Sequence, residues 1–387
     1  MSGFSFNFST AQHIIFGTGS LQTLPNYIKD FGDRVLLVTG KKYPDPSLLL
    51  SLLEDSGHSI MTFSVSQEPD INLIQEGVGC ARGNDADFIL GFGGGAVVDT
   101  GKAIAALSNN DGEIFDYLEV VGKGLPLSKP SLPYVAIPTT AGTGSEVTKN
   151  AVISIPEKKV KVSLRNEYLL PDVALVDPAL TLSVPREVSA STGMDAFTQV
   201  IEPYVTRINN PMVDIFCREA IPIAAKNLSV AYRDGADIEA REKMAYVSLL
   251  GGLSLANAKL GAVHGFAGPI GGMFDAPHGM ICAALLPSVM QINAQLLSKS
   301  INQSEKLKRF REIARWVTGI DSADVSDGIK WISNLAHDLN VPGLAHFGVN
   351  EKDFPAIIKK AQHSSSMKGN PIELKDTDMM QILSASL

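Results

Sequence analysis

The stretch FILGFGGGAVVDTGKAIAAL, residues 88–107, constrains the fold more than any other. It reads as a short apolar strand, a glycine-rich turn and a helix, the opening half of a strand–helix–strand unit. Gly93, Gly94 and Gly95 let the backbone approach a diphosphate closely and take φ angles that other residues avoid. The N–H groups at the start of the following helix favour an anion. Gly91, Gly93 and Ala96 satisfy G-x-G-x-x-A, a pattern that a ligand-free βα turn also satisfies. A second polar loop, IPTTAGTGSEVT at 137–148, follows the next predicted strand. Two such loops at the carboxyl ends of neighbouring parallel strands form the usual crevice of an open α/β sheet. Thr139, Thr140, Thr143 and Ser145 offer hydroxyls there, although capping and turn formation use the same residue types.

Strands are predicted at RVLLVTG (34–40), HSIMTFSV (58–65), DFILGFG (87–93) and PYVAIPT (133–139), with helical segments between them. The segment NAVISIPEKKVKVSLRNEYLLPDVALVDP adds further β-like stretches. That alternation implies a doubly wound, mostly parallel sheet of Rossmann-like type. At 387 residues the chain is too long for one ordinary core, so two domains are expected. After about Val184 the texture becomes helical throughout. The boundary falls at 184–187, giving a dinucleotide-binding α/β domain at 1–185 and an all-α domain at 186–387.

A net charge of −8, spread along the chain, argues against nucleic-acid binding by bulk electrostatics. No run of about twenty apolar residues announces a membrane span. MSGFSFNFSTAQ lacks the basic and apolar regions of a secretory signal. Cys80, Cys217 and Cys282 show no C-x-x-C spacing and read as free, buried thiols of a cytoplasmic protein.

The second half carries a candidate metal site. Asp195 and Gln199, four apart, share one helix face. His264 and His278 lie fourteen residues apart in KLGAVHGFAGPIGGMFDAPHGM. One carboxylate, one amide and two imidazoles suit a zinc- or iron-type cation. Gln199 is a weak, neutral donor, placed either as a ligand or as a hydrogen-bond donor behind the ligands. Three ligands suffice for a catalytic site with an open position. Glu202 could share the Gln199 face, but Pro203 is expected to end or bend the helix, so Glu202 is not counted. Phe266, Met273, Phe274 and Met280 suit a small, partly apolar substrate, and equally a core. At the end of the first predicted strand, Gly40 stands where a ribose-binding carboxylate would repel a 2′-phosphate. With Lys41 and Lys42 after it, the position leans towards NADP(H) over NAD(H).

Seven blocks in order carry a resemblance to the iron-containing (group III) alcohol dehydrogenases. They are FxF…IIFGTGSL, GFGGGAVVDTGKAIA, IPTTAGTGSEVT, LLPDVALVDPALTLSVP, TGMDAFTQVIE, the 259–280 histidine stretch and MKGNPIELKDTD. The resemblance covers nearly the whole chain. It implies a dehydroquinate-synthase-like architecture, an N-terminal dinucleotide-binding domain and a C-terminal helical domain, with the active site between them. Its glycine motif maps to Gly93, Gly94, Gly95, Ala96 and Asp99, with alanine at the usual serine. Its cofactor loop maps to Thr139, Thr140, Thr143 and Ser145, a lysine to Lys161, and the aspartate that selects NAD to Gly40. Its Asp/His/His/His metal ligands map to Asp195, Gln199, His264 and His278, and a further histidine maps to Gly268. Two of the family's active-site imidazoles are therefore absent.

The resemblance implies an NAD(P)-dependent alcohol dehydrogenase or aldehyde reductase. Hydride would pass between nicotinamide C4 and a metal-bound small alcohol or aldehyde, with Asp195, His264 and His278 as the reacting centre. It also implies a homo-oligomer, a dimer or larger. Two alternatives stand beside it: a metal-independent reductase similar to maleylacetate reductases, and a non-catalytic nucleotide-binding relative. A dehydroquinate-synthase-like lyase would need a dense Lys/Arg set, and residues 259–280 offer only Lys259.

Overall fold

The computed structural model describes residues 5–40, 45–274, 276–300 and 304–387. It divides into two compact units. One is Ser9–Val184; the other is Pro185–Leu387 together with the chain's opening segment. The split differs from the sequence-based domain 1–185 in that residues 5–8 belong with the helices. Phe8 packs on Phe216 with ring centroids 5.8 Å apart.

In the α/β unit the strands are β1 (His13–Phe16), β2 (Arg34–Gly40), β3 (Ser59–Val65), β4 (Phe88–Gly93), β5 (Tyr134–Pro138), β6 (Asn150–Ile155), β7 (Val160–Arg165) and β8 (Val173–Val176). Six form one sheet in the order β1-β8-β5-β4-β2-β3, and every pairing in it is parallel. β6 and β7 form a separate antiparallel pair.

Alternate residues of each strand feed opposite faces. Leu37, Leu90, Val135 and Leu175 pack with Leu49 and Leu53 of the helix Ser47–Asp55. Leu36, Val38, Ile89 and Ala136 pack on the other face with Ala81, Ile104 and Ala105. Those last residues lie on the helices Ile71–Gly83 and Gly95–Ser108. Because both faces are covered, the strands read as continuous apolar runs. β2 sits between β3 and β4, so the strand order reverses there. The carboxyl ends at Gly40 and Gly93 flank that switch point, where open α/β sheets bind ligands.

In the helical unit, Arg186–Val205 is the central helix, buried at every position from Gly193 to Val205. It packs against Pro211–Arg233, Ile238–Asn257 and His278–Ser298. Pro203 does not end it, contrary to expectation. Only two residues follow the proline before the C-cap, so little of the helical ladder depends on its missing N–H.

The helices Ala262–Met273, His278–Ser298 and Asp376–Ala385 were not expected from periodicity. Ala262–Met273 carries Pro269 and several glycines and buries most of its first half, so no polar stripe marks it. His278–Ser298 is long and apolar enough by composition to cross a membrane. Within the described residues it is a core helix, with 56% of its apolar window buried.

Candidate functional site

The glycine turn lies at the carboxyl end of β4. The helix Gly95–Ser108 starts directly at the turn, with Gly94 at its N-cap and no side-chain cap, so its first N–H groups remain for an anion. The glycines are sterically specified. A Cβ on Gly93 would lie 2.6 Å from Val97 Cγ2, and one on Gly95 would lie 2.7 Å from Thr143 Cγ2. Gly94 is less confined, with Thr140 Cγ2 at 3.4 Å. The second loop is tied to the first, since Thr139 N–H donates to Gly93 O at 2.9 Å. Thr139 is buried, while Thr140, Thr143 and Ala96 are half-buried.

Not every expected cofactor residue faces outward. Asp99 accepts from the Ser145 hydroxyl and from Val152 N–H at 2.9 Å, so both carboxylate oxygens are used internally. Ser145 is committed to that bond. Lys161 pairs with Glu68 and keeps only 10% of its side chain exposed. Lys41 and Lys42 lie outside the described residues.

Lys102 went unnoticed in the sequence, yet it organises the loop. Its Nζ is fully buried and donates to Asn150 O at 2.6 Å, Ser145 O at 2.8 Å and Thr148 Oγ1 at 2.9 Å. It also lies 3.3 Å from Asp99 Oδ1. Burial pushes its pKa down, against the pull of Asp99. Beside it, burial raises the Glu146 carboxyl to about 7. Apolar-looking context hid Lys102, since GKAIAAL reads as an ordinary core helix with one surface lysine.

The helical unit brings Asp195, His264 and His278 together, and adds Cys282. One donor atom from each of the four lies within 4.8 Å of the others. Asp195 and Gln199 come from the central helix. His264 stands in the first turn of Ala262–Met273. His278 opens the helix His278–Ser298, and Cys282 follows it by one turn on the same face.

Asp195 Oδ1 lies 3.3 Å from His264 Nε2 and 3.8 Å from His278 Nε2. Gln199 Nε2 donates to Asp195 Oδ2 at 3.0 Å. Its amide nitrogen therefore orients the carboxylate and is no substitute for a ligating imidazole.

Glu202, set aside in the sequence, holds His264. Its Oε2 is 2.6 Å from His264 Nδ1, and its Oε1 accepts from Val263 N–H at 2.7 Å. The carboxylate thereby caps the helix start and fixes the imidazole with Nε2 turned inward. That carboxylate–histidine pairing is the usual support of a metal-ligating histidine. The signal was present at TQVIEPYV, but only the uninterrupted helix reveals that Glu202 and Asp195 face one site.

Asp195 Oδ1 and His264 Nε2 are buried and have no hydrogen-bond partner. With its single proton on Nδ1 against Glu202, His264 presents Nε2 to Asp195 Oδ1 as a second buried acceptor, and the two repel unless a further proton or a cation lies between them. Burial opposes charge on both groups, but the surroundings win. His264 is held well above the usual histidine range by Cys282, Asp195 and Glu202, and the imidazoles keep Asp195 below the carboxylate range, so a proton on Nε2 takes the place between the two atoms that a cation would fill. An O/N/N/S set whose buried members await a cation fits a divalent metal. The site opens at His278, whose side chain is 39% exposed.

Phe266 is fully buried and belongs to the core, while Met273, Phe274 and Met280 are half-buried. At Gly268 nothing lies within 4 Å of where a Cβ would stand.

Comparison with known proteins gives one answer. Residues 11–178 match the model of iron-containing alcohol dehydrogenase, and residues 189–387 match the C-terminal model of the Fe-containing alcohol dehydrogenase family. The chain is 34% identical over 379 residues to alcohol dehydrogenase 4 of Saccharomyces cerevisiae, covering 95% of each. It is 35% identical over 364 residues to 1,3-propanediol dehydrogenase of Klebsiella pneumoniae, covering 90% of this chain and 92% of the relative. A crystal structure of a 1,3-propanediol oxidoreductase superposes with a TM-score of 0.91 at 31% identity, covering 99% of this chain and all of the other.

Proposed function

Because this chain belongs to the iron-containing alcohol dehydrogenase family, we propose that Asp195, His264 and His278 hold its divalent metal and that the loops after β4 and β5 hold its nicotinamide cofactor. The protein is an oxidoreductase acting on CH–OH groups, a nicotinamide-dependent alcohol dehydrogenase or aldehyde reductase for small substrates. The single observation that carries the residue assignment is the buried pair Asp195 Oδ1 and His264 Nε2, each without a hydrogen-bond partner, beside His278.

When bound, the cation supplies Lewis acidity that lowers the pKa of an alcohol oxygen or polarises a carbonyl. The chain does the rest. Glu202 keeps the His264 ring oriented through Nδ1, and Gln199 steadies Asp195 through Oδ2. Gly93 and Gly95 keep the backbone open to a diphosphate. Hydride transfer then needs nicotinamide C4 within about 3–3.5 Å of the substrate carbon.

NADP(H) is the favoured cofactor in this reading, supported by the absence of a carboxylate at Gly40, at the end of β2 beside the switch point. A dimer or larger assembly is also proposed, on family grounds.

A chelator experiment tests the metal-dependent reading. Reduction of small aldehydes by NADPH should vanish after EDTA treatment and return with zinc or iron(II). Undiminished activity after complete metal removal would favour the metal-independent reductase. Absence of any turnover across a broad aldehyde panel, despite measurable NADPH binding, would favour the non-catalytic relative.

A further inference from the structure

We propose that Cys282 Sγ is a ligand of the divalent metal, completing an Asp/His/His/Cys set where Gln199 gives no imidazole. The proposal rests on the metal reading above. Cys282 is fully buried, and its sulfur lies within 4.8 Å of the donor atoms of Asp195, His264 and His278. Its place one turn after His278 puts both side chains on one face of their helix. Asp195 and His264, 3% and 8% exposed, hold Oδ1 and Nε2, neither with a hydrogen-bond partner, 3.3 Å apart beside Cys282.

Ligands at zinc–nitrogen, zinc–oxygen and zinc–sulfur bond lengths stand about 3.5 Å apart around a tetrahedral ion. The separations of 3.3 and 3.8 Å from Asp195 Oδ1 to the two imidazoles bracket that spacing. With all four donor atoms within 4.8 Å of one another, a contraction of at most about 1.3 Å brings the sulfur to that spacing. Neither other cysteine competes. Cys217 Sγ lies 3.7 Å from Ser254 Oγ, and Cys80 is half-buried on the α/β unit.

The step is a ligand exchange without redox change. The S–H bond breaks, its proton passes to solvent, and the sulfur lone pair forms the metal–sulfur bond. A soft thiolate beside a single carboxylate moves the selectivity of the site towards zinc and away from iron(II).

Cobalt(II) substitution of the full-length protein reads the sulfur directly. Wild type loaded with one equivalent should show an intense near-ultraviolet thiolate-to-cobalt charge-transfer band. Cys282→Ser should keep the weaker visible bands and lose that one, with zinc affinity down by at least about tenfold. Gln199→His in the Cys282→Ser background should recover affinity without recovering the band. Should Cys282→Ser not fold, X-ray absorption at the zinc edge of the wild-type holoenzyme decides. A sulfur scatterer at about 2.3 Å is expected, and only N/O scatterers at about 2.0–2.2 Å would overturn the proposal. Bound cobalt without the near-ultraviolet band would also overturn it while leaving the metal reading intact. Failure of wild type to bind cobalt or zinc at all would sink both.

Discussion

The glycine loop of the α/β unit and the donor cluster of the helical unit each gather the polar groups of one candidate site, but they are built oppositely. The loop is made of backbone, and its side chains are missing by necessity. At Gly93 and Gly95 a Cβ would clash with Val97 or Thr143, so any residue but glycine deforms the turn. The cluster is made of side chains from three helices, with Asp195, His264, His278 and Cys282 converging only in three dimensions. A backbone site therefore advertises itself in a short contiguous motif. A side-chain site leaves scattered residues, and the sequence grouped Asp195, His264 and His278 while leaving out Cys282 and Glu202.

That contrast predicts separable failures. The largest belongs to the cluster. Asp195→Ala removes the carboxylate shared by both imidazoles and should lower kcat by about a thousandfold or more, since Lewis-acid stabilisation contributes several kcal/mol. NADPH binding, measured by fluorescence titration, should stay within about twofold. Simultaneous loss of nucleotide affinity would show that the two regions are not independent.

Glu202→Gln should weaken zinc binding by about 10- to 100-fold, the usual effect of removing a carboxylate behind a ligating histidine. It also puts an amide beside the Val263 and His264 N–H groups, so thermal stability should fall modestly. Unchanged zinc affinity in a competition titration would mean that Glu202 is only a helix cap.

Gly95→Ala probes the loop in the opposite sense. The new methyl meets Thr143, and the KM for NADPH should rise by about tenfold while metal content stays at the wild-type level. Gly40→Asp should move cofactor preference towards NADH by about the same factor, read as the ratio of kcat/KM values. An unchanged ratio would remove the argument for NADP(H).

The smallest effect concerns stability. The folded state holds the Glu146 proton up to about 7, whereas the unfolded chain releases it near the ordinary 4.5. Between those values the native state binds more protons, so its stability falls as pH rises and stays reduced above pH 7. Glu146→Gln removes that penalty. In urea melts the variant should gain on wild type at pH 8 by at most about 3 kcal/mol, with the difference vanishing below about pH 4.5. Parallel curves for the two proteins across that range would show that Glu146 is not buried as a neutral acid.

Much of the α/β unit was legible because parallel strands carry unbroken apolar runs between glycines and prolines. β2 was predicted with its observed limits, and β3, β4 and β5 differ from expectation by a residue at one or both ends. β1, only four residues long, lacked enough sequence to register. In the helical unit the amphipathic helices were visible, while Ala262–Met273 and His278–Ser298 were not. Both are mostly apolar around their circumference, so the 3.6-residue period carries little contrast. The same burial concealed the roles of two residues. Cys282 looked like an inert core thiol. Glu202 looked disqualified by Pro203, because the sequence does not show that a proline in the last turn of a helix does little harm. Lys102 belongs with them, as a charge that lies in the core only because five oxygens receive it.

Metal content per chain is the most direct test of the central claim, that the helical unit holds a divalent cation between Asp195, His264 and His278. Protein purified without chelator should carry roughly one equivalent of zinc or iron by mass spectrometry, and Asp195→Ala purified alongside should carry almost none. Less than about a tenth of an equivalent in active wild type, or equal occupancy in the two proteins, would contradict the account.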